Sequence, residues 1–162
     1  MQPRIESIQV KKLIGKRLSM SLTNNRTTEL WQSFMPHRKE IINSVGSDMF
    51  SLRVYDPQYF ANFNPGAEFD KWAAIEVSDY DYNSIPPGME TLTLPAGLYA
   101  VFNYVGAASA GGPFFQHIYG TWLPNSEYRL DNRPHFEVLG DKYKNESPDS
   151  EEEIWIPVKQ RT

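Results

Sequence analysis

The run Arg133-Pro134-His135-Phe136-Glu137-Val138-Leu139 sets one carboxylate among apolar neighbours in a stretch short enough to be a single strand. Side chains alternate faces along a strand, so Phe136 and Val138 share one face while His135, Glu137 and Leu139 share the other. One face is then core, and the other carries an acid. Two readings of Glu137 follow: a solvated charge on an open sheet face, or a carboxylate at the bottom of an aromatic pocket that receives a cation. A buried acid without a partner tends to hold its proton, because desolvation disfavours the charge. A cationic aromatic ligand offsets that cost, and pocket rings add cation-π contacts of about 0.5 to 2 kcal/mol each.

The chain has the material for such a pocket. It contains 4 Trp, 9 Tyr and 9 Phe, and aromatic residues make up 14% of its 162 positions. These rings form either an aromatic-rich core with tyrosines reaching the surface or the lining of a cavity for flat ligands. The loop at 56–66, which carries Tyr59, Phe60 and Phe63, is a candidate rim.

Composition removes several other chemistries. The formal charge of -4 argues against a phosphate-binding face, and the basic cluster Lys11, Lys12, Lys16 and Arg17 reads as the solvated side of a strand, so no nucleic-acid contact is expected. Without cysteine there is neither a disulfide nor a thiolate metal site. Of the three histidines, His135 makes one two-residue spacing with Glu137 without other clear ligands, so no metal or other cofactor is expected. The stretch 106–112 is rich in Gly, Ala and Ser but lacks the lysine of a nucleotide loop, and reads as a flexible lid or a helix lead-in. No apolar run approaches the roughly 20 residues of a membrane span, and the opening from Met1 to Glu6 lacks a leader's apolar centre. A soluble, cytoplasmic, monomeric protein is the expectation.

The elements that must position Glu137 repeat. Residues 5–22 alternate as one long strand or a kinked pair; Thr27 or Thr28 caps a helix carrying Leu30, Trp31, Phe34 and Met35 and continuing past Pro36 toward Ile41; strands follow at 50–55 and 71–77. The pattern then restarts at an offset of 84 residues: Glu6-Ser7-Ile8 against Glu90-Thr91-Leu92, Leu30-Trp31 against Phe114-Phe115, and Leu52-Arg53-Val54 against Phe136-Glu137-Val138. The expected fold is therefore α+β, with duplicated strand-helix-strand-strand units (first about 4–80, second about 88–160) in one domain. Pseudo-twofold symmetry, a mainly antiparallel sheet, one long helix packed on it per half and a central groove complete the expectation. Arg53 and Glu137 occupy equivalent positions, so the acid belongs to the second half alone and the site is asymmetric.

Four motifs in order, Leu94-Pro95-Ala96-Gly97-Leu98-Tyr99, Ile118-Tyr119-Gly120-Thr121-Trp122-Leu123-Pro124, Arg133 to Glu137, and Glu152-Glu153-Ile154-Trp155-Ile156-Pro157, resemble the GyrI-like family, the effector-binding domain of AraC-type and multidrug-sensing transcription regulators. The resemblance covers nearly the whole chain, and no helix-turn-helix of the regulators is recognised in it. It implies a groove for hydrophobic, often cationic small molecules, with its key acid at Glu137 and groove aromatics at Tyr99 and Trp122. Tyr104, Tyr119 and Trp155 are further candidates by the same resemblance. Glu153 is a second candidate acid, read otherwise as the edge of the solvated run Glu151-Glu152-Glu153. Trp122 and Tyr99 each have a core alternative.

Three functions follow. The first is binding of hydrophobic, aromatic, cationic small molecules. The second, implied by stand-alone members of the family, is hydrolysis of cyclopropane-bearing alkylating natural products. There Glu137 acts as general base on water, and Tyr99 or Tyr104 donates to a ligand carbonyl. The third is modulation of a topoisomerase or transcription partner.

Overall fold

A computed structural model describes residues 2–161 of the chain; Met1, part of the opening read for a leader, lies outside them. The first alternating stretch is the kinked pair, β1 (Arg4–Ile8) and β2 (Lys11–Met20). The helix α1 (Thr27–Phe34) follows. Its first turn is held by Asn25, whose Oδ1 accepts from the Thr27 N–H at 2.9 Å, and neither threonine caps it as expected. Pro36 has no N–H to continue the ladder, and the chain goes on as a 3-10 turn over Met35–Glu40. Strands β3 (Met49–Val54) and β4 (Phe69–Val77) complete the half.

The second half repeats this order with two departures, a broken helix and an added short strand. β5 (Glu90–Leu94) and β6 (Gly97–Val105) are separated at Pro95-Ala96, and α2 covers Gly112–His117. The expected single long helix is broken: a π-helical turn occupies Ile118–Trp122 before a last turn at Leu123–Asn125. The wide turn sits where Pro124 cannot donate to the Gly120 carbonyl four residues back. A short β7 (Tyr128–Leu130), absent from the sequence reading, precedes β8 (His135–Leu139) and β9 (Glu151–Gln160).

These strands form one antiparallel sheet of nine, in the order β1-β6-β9-β8-β3-β4-β2-β5, with β7 paired to β9 off this path. Exchanging β1 with β5, β2 with β6, β3 with β8 and β4 with β9 reproduces the same order in reverse. At the centre Leu52 faces Phe136 across the β3–β8 ladder, two residues separated by the repeat offset. Each half lends its first strand to the other, β1 to β6 and β5 to β2, so the halves are stitched as well as abutted.

Period-two alternation decides what each face holds. One face collects Phe50, Leu52, Trp72, Tyr99, Phe136 and Trp155 in a buried cluster. The other carries the helices, but in two separate clusters: Ile14, Ile75 and Met20 under Leu30 and Phe34 of α1, and Phe102, Ile154 and Ile156 under Ile118 and the α2 segment. Between them lie the central strands β3 and β8, whose side chains on this face are Ser51, Arg53, His135 and Glu137, all buried. The helix face therefore has two apolar flanks and a polar middle.

Gly15 on β2 is required by close approach. A Cβ there would stand 2.0 Å from the Ala73 carbonyl oxygen and 2.7 Å from the Ala74 Cβ, both fixed in the β2–β4 ladder. Gly15→Ala is expected to lower stability by about 1–3 kcal/mol, the range for overpacking a filled site, read as a lower denaturation midpoint by circular dichroism.

Candidate functional site

Above the polar middle of the helix face lies a cleft of about 700 Å³, which the middle reaches through Arg53. The first half contributes Arg53 from β3, Lys71 from β4 and the rings of Tyr55, Tyr59, Phe60 and Phe63 from the connection after β3; the second contributes Phe115 and Tyr119 from the broken helix. The rings are in mutual contact. Tyr55 and Tyr59 have centroids 4.5 Å apart, Phe60 stacks on His135 at 5.5 Å, and Phe60 meets Tyr119 at 5.3 Å. Tyr119 and His135 Nδ1 share a hydrogen bond of 2.8 Å. The π-helical turn, with Gly120 in the cleft wall and no atom within 4 Å of where its Cβ would be, keeps this side open.

Beneath the rings Arg53 Nη1 donates to Glu137 Oε1 at 3.2 Å, with about a tenth of each side chain exposed. The guanidinium also lies 4.8 Å from the Phe115 ring centre. Burial is the largest influence on Arg53 and opposes its charge, but the Glu137 carboxylate, together with smaller contributions from Tyr55, Tyr119 and Glu152, holds the group above its ordinary pKa. Arg53 Nε and Nη2 and Glu137 Oε2 have no hydrogen-bond partner among the described residues, a costly state for buried polar atoms. Across the β3–β4 ladder Arg53 faces Lys71. Burial pushes the Lys71 ammonium down, and its Nζ donates to Thr27 Oγ1 at 3.0 Å. On the other side Arg53 faces His135, whose pKa burial drives well below the usual histidine value, with Arg53 and Arg133 adding to the effect. Burial lifts Tyr55 to about 12 and Tyr119 well above the phenol range. Both hydroxyls are therefore protonated at neutral pH. Glu152, on the neighbouring β9, is pushed up to about 7 by burial and then by Glu137.

The structure divides the predicted site residues. Tyr119 lies in the cleft wall and Glu137 behind Arg53, beneath the lining, but the acid is not an unpaired carboxylate; Arg53 already occupies the place expected for a ligand cation. Tyr99 and Trp155 belong to the opposite face, where both pack on Phe136 and the Tyr99 hydroxyl donates to the Pro134 carbonyl at 3.0 Å. Strand alternation is the reason: in the ladder at β6, Tyr99 shares a side with Val101, not with Ala100 and Phe102. Glu153 is on that face too, bound by Arg4 at 2.7 Å and by the Trp155 indole N–H at 3.2 Å. Tyr104 and Trp122 are on the helix face but outside the cleft, since Tyr104 donates to the Ala107 carbonyl and packs on Phe114, while Trp122 packs on Phe102. The paired base and tyrosine acid expected for hydrolysis are thus not assembled: neither tyrosine hydroxyl is bonded near Glu137.

Sequence reasoning missed Arg53, Lys71, Tyr55 and Phe115 as site residues. The repeat offset had set Arg53 against Glu137, and in an antiparallel pair about a twofold axis such equivalent positions meet diagonally across the central ladder. That signal was present. The 56–66 loop was read as a rim, and Tyr59, Phe60 and Phe63 do line the cleft. Among the described residues no group of three or more His, Asp or Glu side chains is placed to hold a metal, and no helix is long and apolar enough to cross a membrane.

This chain belongs to the GyrI-like family: the model of the GyrI-like small molecule binding domain matches residues 1–159. No curated protein matches the chain. Among solved structures it is similar to SAV2435 bound to tetraphenylphosphonium, with 18% identity and a TM-score of 0.72 over 98% of this chain and 94% of that one. The C-terminal domain of EcmrR gives 14% identity and a TM-score of 0.73 over 99% and 98% of the two chains. A hydrolase from Listeria innocua is more distant, at 10% identity and a TM-score of 0.59 over 98% and 92%. At these identities the likeness is one of fold.

Two outcomes follow from the electrostatics. Glu137→Gln leaves the buried Arg53 charge without its carboxylate and is expected to cost about 3–5 kcal/mol in urea denaturation, most of it recovered when Arg53→Met is added. For Glu152 the folded pKa lies above the unfolded one, so the folded state loses stability as pH rises from about 4.5 through about 7. Glu152→Gln is expected to raise the melting temperature at pH 8 by about 2–4 °C, corresponding to about 1 kcal/mol once solvent screening is allowed for, with the gain vanishing near pH 4.5.

Proposed function

We propose that this chain is a cytoplasmic effector-binding protein that takes flat, hydrophobic aromatic molecules into the cleft between its halves. The observation that carries the reading is the ring-walled cleft itself. Its volume of about 700 Å³ suits a drug-sized molecule, and Tyr55, Phe60, Phe115 and Tyr119 offer faces and edges to a planar guest. Stacking constrains a ligand only loosely, so broad specificity is expected. Membership of a small-molecule binding family supports the same reading.

A cationic ligand is the second reading, favoured by the tetraphenylphosphonium bound to SAV2435. Such a ligand would take over the Arg53 position against Phe115 and Glu137. Binding is better supported than turnover, because Glu137 is engaged by Arg53 and the tyrosine hydroxyls of the expected acid are bonded elsewhere. Modulation of a transcription partner rests on the shared fold of the EcmrR domain, and the chain is taken to act without touching nucleic acid or membrane itself.

Titration with a neutral fluorescent aromatic amine, N-phenyl-1-naphthylamine, tests the cleft. Phe60→Ala and Phe115→Ala are each expected to weaken binding about fivefold to tenfold, corresponding to roughly 1 kcal/mol per ring contact, while Tyr99→Phe on the opposite face leaves it unchanged. Binding that ignores both ring deletions would place the ligand elsewhere.

A further inference from the structure

The residues lining the cleft include two basic side chains, Arg53 and Lys71, and no acidic one. Glu137 stands behind Arg53 and is not part of the lining. We propose that the cleft selects aromatic molecules that carry a carboxylate or an equivalent single negative charge, with Lys71 and Arg53 as the anchors. The assignment rests on the aromatic-cleft reading and names the polarity of its ligand.

Four observations converge on it. Lys71 forms no ion pair among the described residues; its Nζ spends one donor on Thr27 Oγ1 and has two more. Arg53 shares the single carboxylate beneath it and leaves Nε and Nη2 unpartnered, which is the edge of a guanidinium that accepts a carboxylate side-on. The two cations face each other directly across the β3–β4 ladder, where like charges repel, so an anion between them relieves a cost already built into the floor. The donors around them agree in sign. Thr27 and Asn25, at the start of α1, line the same cleft, placing the positive end of that helix's dipole beside it. The Tyr55, Tyr59 and Tyr119 side chains supply hydroxyls rather than phenolates.

The structure also says how the two anchors differ. Lys71 is reached from the cleft directly, whereas Phe115 lies over the Arg53 guanidinium. An entering carboxylate meets Lys71 first, and contact with Arg53 requires the Phe115 ring to slide from the guanidinium onto the guest. A permanent cation meets the opposite field: it must displace Arg53 from Glu137 before any carboxylate is exposed to it.

Calorimetric titration with three probes of one ring system, 2-naphthoate, neutral 2-naphthamide and cationic N-methylquinolinium, tests the proposal. The expected order is naphthoate at least tenfold tighter than naphthamide, with the quinolinium weakest. In Lys71→Gln the ratio of naphthoate to naphthamide affinity is expected to fall about tenfold, and in Lys71→Arg it is restored. Equal binding of all three, or tightest binding of the cation, overturns the charge assignment while leaving the aromatic cleft standing. If no probe binds, or if binding survives a Gly120→Leu substitution that narrows the cleft wall, the cleft reading falls and this assignment with it.

Discussion

The ion pair between Arg53 and Glu137 is the constraint around which the helix face is arranged. It lies on the two central strands, where the twofold relation brings equivalent residues of the two halves together. Two identical charges there would repel in a poorly solvated place; an arginine and a glutamate attract. The divergence of one pair of equivalent positions thus converts a symmetric scaffold into an asymmetric, polarised floor. The pair does not close its own hydrogen bonding, because three of its polar atoms have no partner among the described residues. A buried pair in that state is a weak source of stability and a strong organiser of whatever enters above it.

The surrounding architecture keeps that floor reachable. Had the helices packed at the centre of the sheet, the charged residues would have been sealed. Instead each helix packs on the strands of its own half, and neither apolar cluster takes in Ser51, Arg53, His135 or Glu137 at the middle of β3 and β8. The broken helix of the second half adds to this. Its π-helical turn brings Tyr119 to His135 and leaves Gly120 in the wall, and the connection after β3 supplies the facing rings. The opposite face, with Tyr99, Phe136 and Trp155 stacked together, is core. The large aromatic content is thus divided between a core on one face and the walls of a cleft on the other.

Much of the fold was legible because period-two alternation and an offset of 84 residues are properties of sequence alone. The four principal strands of each half followed from them. The site was less legible, and for a definite reason. Alternation says that Tyr99 and Ala100 face opposite ways but not which way, and the structure puts Tyr99, Trp155 and Glu153 on the face opposite the cleft. The face that Glu137 takes was legible because its neighbours Phe136 and Val138 are plainly core. Its partner was legible in part: the repeat offset sets Arg53, 84 residues away, against Glu137, and the register of the central ladder then shows that the two positions touch. The break in the second helix likewise depends on Pro124 acting on a carbonyl one turn earlier, which a count of apolar spacing does not register.

The central claim is that an aromatic guest enters over the Arg53–Glu137 floor. A crystal structure of the protein with a bound planar aromatic molecule tests it most directly. The account predicts guest rings within about 4.5–7 Å, centroid to centroid, of Phe60, Phe115 and Tyr119, on the helix face between α1 and α2. A guest found against Tyr99 and Trp155 on the other face, or outside the cleft altogether, would contradict it.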